Sequence, residues 1–291
     1  MNEVTLARIV TEAEETRVLA SRQFAVAPNE AVSLYRKTIA LLQPIIDFAH
    51  TNSTKNNQTL VLGVGQAFLG TVSTYTSLAN RPEDKSKVPY YIQMAEATLA
   101  DPSLTKCLPT LFSLNISIHG NPLLWEAEFE RLKARIEERR LPPNPTAAIT
   151  HYDKSLNVCL IHYQKAMKMH NRPLSQTSML LYGTFFLERA RHFPQTALND
   201  MAVAMGIVMA IYSELQDLEK VEATIGRVLE WCIINNVAAD HPTYKMAQIL
   251  YLELAQKTSK KDLFIARLQQ ARAAKMALPN DFLDTLEQIV G

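Results

Sequence analysis

Between residues 201 and 215 the apolar positions Met201, Ala204, Val208, Ile211, Tyr212 and Leu215 recur every three or four residues. That spacing places them on one side of an α-helix. The same period runs through Leu218, Val221, Ile225, Val228, Leu229 and Cys232, and again through Tyr244, Ala247, Tyr251 and Leu254. Sustained alternation of apolar and polar residues between hairpin-type turns is missing, so strands are not predicted. The pattern predicts helices over 3–24, 28–50, 57–80, 85–100, 103–119, 122–140, 145–171, 175–193, 195–215, 217–235, 242–257, 260–277 and 280–290. Most connections between them are short, which favours antiparallel neighbours.

Punctuation agrees with this reading. Asn121-Pro122 and Asn144-Pro145 each set a capping residue before a proline, whose missing N–H costs nothing in a first helical turn. Ser259 with Asp262 forms a capping pattern, and Asp217 caps ahead of Leu218. Pro44, Pro89 and Pro109 fall inside or near the start of predicted helices, where boundaries can shift by a turn. Leu141-Pro142-Pro143-Asn144-Pro145 is a stiff joint. It either divides helical hairpins over 1–141 from those over 145–291, or joins two successive pairs of one continuous superhelix.

Composition narrows the class. Of 291 residues 47% are hydrophobic and 20% charged, which is the balance of a folded chain rather than a disordered one. A formal charge of +1 argues against general nucleic-acid or membrane-surface binding. Cys107, Cys159 and Cys232 lie far apart and read as reduced, buried thiols. Residues 1–20 are acidic and helix-patterned with no signal-peptide core, so an intracellular location, cytoplasmic or nuclear, is expected. The uncharged run 56–80 contains Asn57, Gln58, Gln66, Ser73, Ser77 and several threonines, too polar for a membrane span, and reads as a buried helix.

Inside these helices one triplet recurs. Ala31, Tyr35 and Thr38 set a small, an aromatic and a small residue at i, i+4 and i+7, and Ala148, Tyr152 and Ser155 repeat it. Leu69-Gly70 and Ala97 followed by Pro102 extend the pattern, as does the 212–228 hairpin with Tyr212, Val221, Ile225 and Val228. On these residues the chain resembles the tetratricopeptide repeat family, whose unit of about 34 residues is a helix-turn-helix. The resemblance is partial: Met209 stands in the glycine position, valines occupy small positions, and reaching Pro102 requires an insertion. It implies an all-α fold of antiparallel helix pairs stacked as a right-handed solenoid, with a compact helical bundle or another α-solenoid as the alternatives. It also implies that Gly70 and Ala97 lie at helix-helix contacts.

Catalytic patterns fail on inspection. Gly63-x-Gly65 lacks the third glycine of a dinucleotide loop, since Phe68 stands there, and reads instead as close packing on a buried helix. The seven histidines include no i, i+4 pair; His119 and His192 are expected near helix C-termini. Ser103-x-x-Lys106 has the spacing of a serine-lysine pair with nothing else of that signature. No cofactor or metal is predicted. One charge imbalance stands out at 255–278: Lys257, Lys260, Lys261, Arg267, Arg272 and Lys275 against only Asp262. Lys260, Lys261, Arg267, Arg272 and Lys275 are therefore the candidate partner-binding residues, on the reading that they steer an acidic peptide or subunit. The expected function is a non-enzymatic interaction scaffold or adaptor subunit. A ligand-responsive regulatory domain and a helical enzyme whose site converges only in three dimensions stay open beside it.

Overall fold

Side chains that accept backbone N–H groups mark where the helices begin. In the computed structural model, which describes residues 1–24, 27–52, 57–80, 82–190, 194–215, 218–238, 240–257 and 280–290, α1 (Glu3–Gln23) follows Asn2, whose side chain accepts from Thr5 N at 2.8 Å. Proline opens α2 (Pro28–Thr51), and Asn57 caps α3 (Gln58–Ala79) through Leu60 N at 3.0 Å. A 3-10 turn, Pro82–Lys87, leads into α4 (Val88–Leu99). Asp101 caps α5 (Pro102–Leu114), and α6 (Trp125–Arg139) precedes α7 (Pro145–Lys168), which Asn144 caps. The remaining described helices are α8 (Arg172–Arg189), α9 (Pro194–Leu215), α10 (Leu218–Ile234), α11 (Pro242–Lys257) and α12 (Asn280–Val290). Among the described residues there is no strand, only an isolated bridge between Ile116 and Pro122.

The helix predicted over 260–277 lies outside the described residues; among the described residues the others stand, with α6 starting at Trp125 rather than at Asn121-Pro122, whose proline instead bridges Ile116, and with one clear shortening. The helix expected over 103–119 ends at Leu114, and Asn115 leaves it in the left-handed region at φ 49°. Asparagine is one of the few residues that accept this conformation readily. Residues beyond it form a hydrogen-bonded loop in which Ile118 N donates to Gln66 Oε1 at 2.7 Å and Trp125 Nε1 donates to Ile116 O at 2.8 Å. Those bonds satisfy backbone groups that a longer helix would have satisfied internally.

The chain divides into two compact units, Met1–Thr177 and Ser178–Gly291. In the first, α3 is the centre and packs against α1, α2, α4, α5 and α6. Its sequence explains why a helix can be enclosed so fully. It carries no charge, and two of its buried hydroxyls bond back to its own carbonyls, Thr74 Oγ1 donating to Gly70 O at 2.7 Å and Thr76 Oγ1 to Ser73 O at 3.0 Å. Its glycines let neighbours approach. A Cβ on Gly63 would overlap Leu6 of α1, and one on Gly65 would lie 2.7 Å from Leu111 Cδ1 of α5. Glycines at such contacts act through their lack of volume, since interiors have no room to spare. The Gly63-x-Gly65 pair is thus packing, as the sequence suggested. Around this axis, α1 packs on α2, α3 on α4 and α6 on α7, while the joint Leu141–Pro145 connects the last of these pairs.

In the second unit α9, α10 and α11 pack on one another, and α12 packs on α11. The predicted apolar faces are its core: Met201, Ala204, Val221, Ile225, Val228, Leu229, Cys232, Tyr244, Ala247 and Tyr251 are buried. Phe282 and Leu286 of α12 join this core, with the Tyr251 and Phe282 rings 6.2 Å apart. Asp284 and Glu287 face water, as the amphipathic pattern requires.

Candidate functional site

The basic strip predicted from sequence, Lys260, Lys261, Arg267, Arg272 and Lys275, lies outside the described residues. Within them, titratable groups concentrate on the seam between α6 and α7. Glu130 accepts from Lys133 Nζ at 2.9 Å and pairs with His151 Nδ1 at 2.7 Å across the seam. Burial alone would raise the Glu130 carboxyl, but these two hydrogen bonds and charges outweigh it and hold the group below its ordinary value. A carboxylate held ionised in this way serves poorly as a proton carrier near neutrality. Beside His151, Tyr152 OH donates to Glu138 Oε2 at 2.9 Å, and Arg139 Nη1 lies 3.4 Å from the same oxygen. Ser155 Oγ donates to Ala127 O at 3.0 Å, fastening the seam to the α6 backbone. Arg140 adds ion pairs to Glu96 of α4 and Glu137.

This arrangement has a counterpart at α1 and α2. Tyr35 OH hydrogen bonds with Ser21 Oγ at 3.0 Å, and Tyr35–Ser21 and Tyr152–Glu138 are both separated by 14 residues. Each tyrosine sits in a 24-residue helix opened by proline. All members of both sequence triplets, Ala31, Tyr35, Thr38 and Ala148, Tyr152, Ser155, are buried. The small residues admit the partner helix, and the tyrosine spans to it and finds a polar partner for its hydroxyl. Gly70 shares this role: a Cβ there would lie 3.1 Å from Leu42 Cδ1 of α2. Ala97 does not. It is exposed, and the fully buried alanine of α4 is Ala95, so the register assigned to α4 was displaced by two residues.

Asp101, His50 and Ser103 are occupied structurally. Asp101 caps α5 by accepting from Ser103 N at 2.7 Å and holds His50 Nε2 at 2.8 Å, tying the end of α2 to the start of α5. Ser103 Oγ donates to Ala49 O at 3.3 Å. His119 lies in the loop after α5, beyond the helix end where it was expected, with Nε2 3.1 Å from Thr11 Oγ1 of α1; His192 is outside the described residues. Burial pushes the Cys159 thiol above its usual range, with Glu128 adding to it, and pushes Cys232 up to about 11. Both thiols are therefore protonated and unreactive at neutral pH. Burial and then Lys165 lower His162, with Glu126 opposing them, so that imidazole is neutral at pH 7. Among the described residues no group of three histidine, cysteine or acidic side chains is placed to hold a metal ion, and no helix is long and apolar enough to cross a membrane.

Two outward surfaces remain. On α3 and α4 the rings of Tyr75 and Tyr91 are 6.4 Å apart and those of Tyr90 and Tyr91 5.6 Å apart, with Tyr90 54% exposed. On α7, opposite the seam, Lys154, Asn157, Ile161, Gln164, Lys165 and Lys168 are all exposed. Charge counting could have located the second surface, because no Asp or Glu occurs between Asp153 and Glu188. No protein-family model matches this chain. No curated protein matches it either.

Proposed function

We propose that this protein is a non-enzymatic interaction scaffold, built of helix pairs stacked in the manner of tetratricopeptide repeats, that binds a peptide or a subunit of a larger complex. The observation that carries the reading is the repeated helix pair. Two pairs far apart in sequence bury the same small–Tyr–small triplet and pin it with a tyrosine hydrogen bond of the same separation. Repetition of one packing unit builds extended surface, and such surface is what helical repeat proteins offer to partners. The titratable side chains support the same reading from the other side. Glu130, Glu138 and Asp101 are engaged by neighbouring helices, so their chemistry is spent on holding the stack.

The partner is acidic on this reading, steered by the basic segment that includes Lys260, Lys261, Arg267, Arg272 and Lys275. Affinity capture with quantitative mass spectrometry tests it, comparing the natural chain with one carrying Lys261→Glu, Arg272→Glu and Lys275→Glu. A partner recovered in fixed stoichiometry, and weakened by charge reversal and by salt, supports the scaffold. Association that is unchanged at low salt in a folded variant removes the basic segment from the interface. Recovery of nothing above background removes the scaffold itself.

A further inference from the structure

The α7 lysines repeat along one face. Lys154, Asn157, Ile161, Gln164 or Lys165, and Lys168 follow the three-four spacing of a single helical side. Ala148, Tyr152, Ser155, Cys159 and Ala166 occupy the opposite, buried side against the rest of the unit. Helix α7 carries one acid, Asp153, exposed on this side a turn before Asn157, against three lysines, and among the described residues none of Lys154, Lys165 and Lys168 forms an ion pair. In its middle Ile161 is 53% exposed. Lys165 and Lys168 sit near the helix C-terminus, where the macrodipole favours cations. That account stops there. It does not reach Lys154, in the first half of the helix where the dipole gives a cation no advantage, and it says nothing of an exposed isoleucine framed by lysines.

We infer that the outward face of α7 docks an acidic amphipathic helix of a partner protein, with an apolar side chain on Ile161 and carboxylates reaching Lys154 on one side and Lys165 and Lys168 on the other. The inference rests on the scaffold reading and names a surface and a partner chemistry for it. At 1.5 Å of rise per residue, Lys154 lies about 10 Å from Ile161 along the axis, and Lys165 and Lys168 lie about 6 and 10 Å the other way. A partner helix meets these positions with an apolar residue flanked by Glu or Asp one to two turns on either side. A lipid surface fits less well, because it calls for a broad apolar face and here Asn157 and Gln164 flank one isoleucine. Nucleic acid fits less well too, since an apolar centre offers nothing to phosphates and the chain carries a charge of only +1.

The probe is a fluorescein-labelled, staple-locked helical peptide of about twenty residues, with a central leucine and glutamates one and two turns to either side, a design that follows from the helical rise. Anisotropy is read at 50 and 300 mM salt on the full chain, with circular dichroism confirming each variant's fold. The expected result is binding that weakens about tenfold over that salt range, as for steered charge pairs. Lys154→Glu, Lys165→Glu and Lys168→Glu together should reduce it at least tenfold, and Ile161→Asp similarly. Absence of binding by the natural chain, equal binding by the charge-reversed chain, or equal binding of a peptide whose leucine is replaced by serine overturns the inference. So does preferential binding of phosphatidylserine vesicles or polyuridylate, or self-association through this face in sedimentation. A photo-crosslinking residue at 161, and separately at 90, separates this inference from the scaffold reading. Partner crosslinks at 90 alone, or a captured partner that crosslinks at neither position, overturn the α7 face and leave the scaffold standing, whereas capture of no partner above background together with no peptide bound overturns both.

Discussion

Helices α3 and α7 are of nearly equal length, 22 and 24 residues, yet they solve opposite problems. Five helices surround α3, and its sequence answers with no charge, with glycines where neighbouring side chains close in, and with the Thr74 and Thr76 hydroxyls bonded to its own carbonyls. Helix α7 packs heavily on α6 and leaves its other side to solvent, carrying Lys154, Ile161, Lys165 and Lys168 there. The difference teaches where change is tolerated. On α3 volume is the constraint on nearly every side, whereas on α7 it applies to one face and charge can vary on the other.

The largest effect that breaks the contrast is an added side chain on α3. Gly63→Leu forces its new atoms into Leu6 and should cost about 3 kcal/mol, with Gly70→Leu costing about 1–3 kcal/mol against Leu42. Ala97→Leu, on an exposed position of α4, should stay within about 0.5 kcal/mol. Urea denaturation with unchanged slope reads all three, and a neutral Gly63→Leu would mean that α1 does not close on α3.

The seam of α7 offers a middle-sized test. Tyr152→Phe leaves the Glu138 carboxylate without that donor and should cost about 1–2 kcal/mol. Acid adds a sign to the same seam. Because Glu130 is held below its ordinary value, its contribution is complete above the unfolded-state value and is lost as pH falls through the folded one. Glu130→Gln should therefore flatten the loss of stability below about pH 4.5, where unperturbed glutamates titrate. An unchanged acid limb in thermal melts would show that Lys133 and His151 do not hold it.

A smaller effect, of opposite sign, is expected where α7 ends. His170 adopts φ 52°, a left-handed conformation in which Asn171 N donates to Ala166 O at 2.8 Å. Glycine takes that conformation without steric cost, so His170→Gly should stabilise by about 0.5–1 kcal/mol. A loss of stability would indicate that the imidazole makes a contact worth more than the backbone strain.

Much of the fold was legible because helix starts are local chemistry. Asn57, Asp101 and Asn144 each cap the helix they precede, and prolines open α2, α5, α7 and α11. The end of α5 was not legible. Ile116 and Ile118 prolong the apolar period, and it takes Gln66, a distant residue on α3, and Trp125 of α6 to draw that chain into a loop. Ala97 failed for a similar reason, since adjacent small residues in α4 offer two registers and only packing selects Ala95. The outward face of α7 was half legible. The excess of three lysines over Asp153 in α7 is a sequence fact, but which side faced water depended on where Tyr152 and Ser155 were buried.

The central position of α3 also sets a clock. Its amide protons exchange with solvent only when the surrounding helices of the first unit release it together, because all of them lie between its backbone and water. Deuterium uptake along α3 should then report the opening of that whole unit, while the outward turns of α7 take up label through local fraying. The slowest amides of the first unit should then mark the helix that carries no charge.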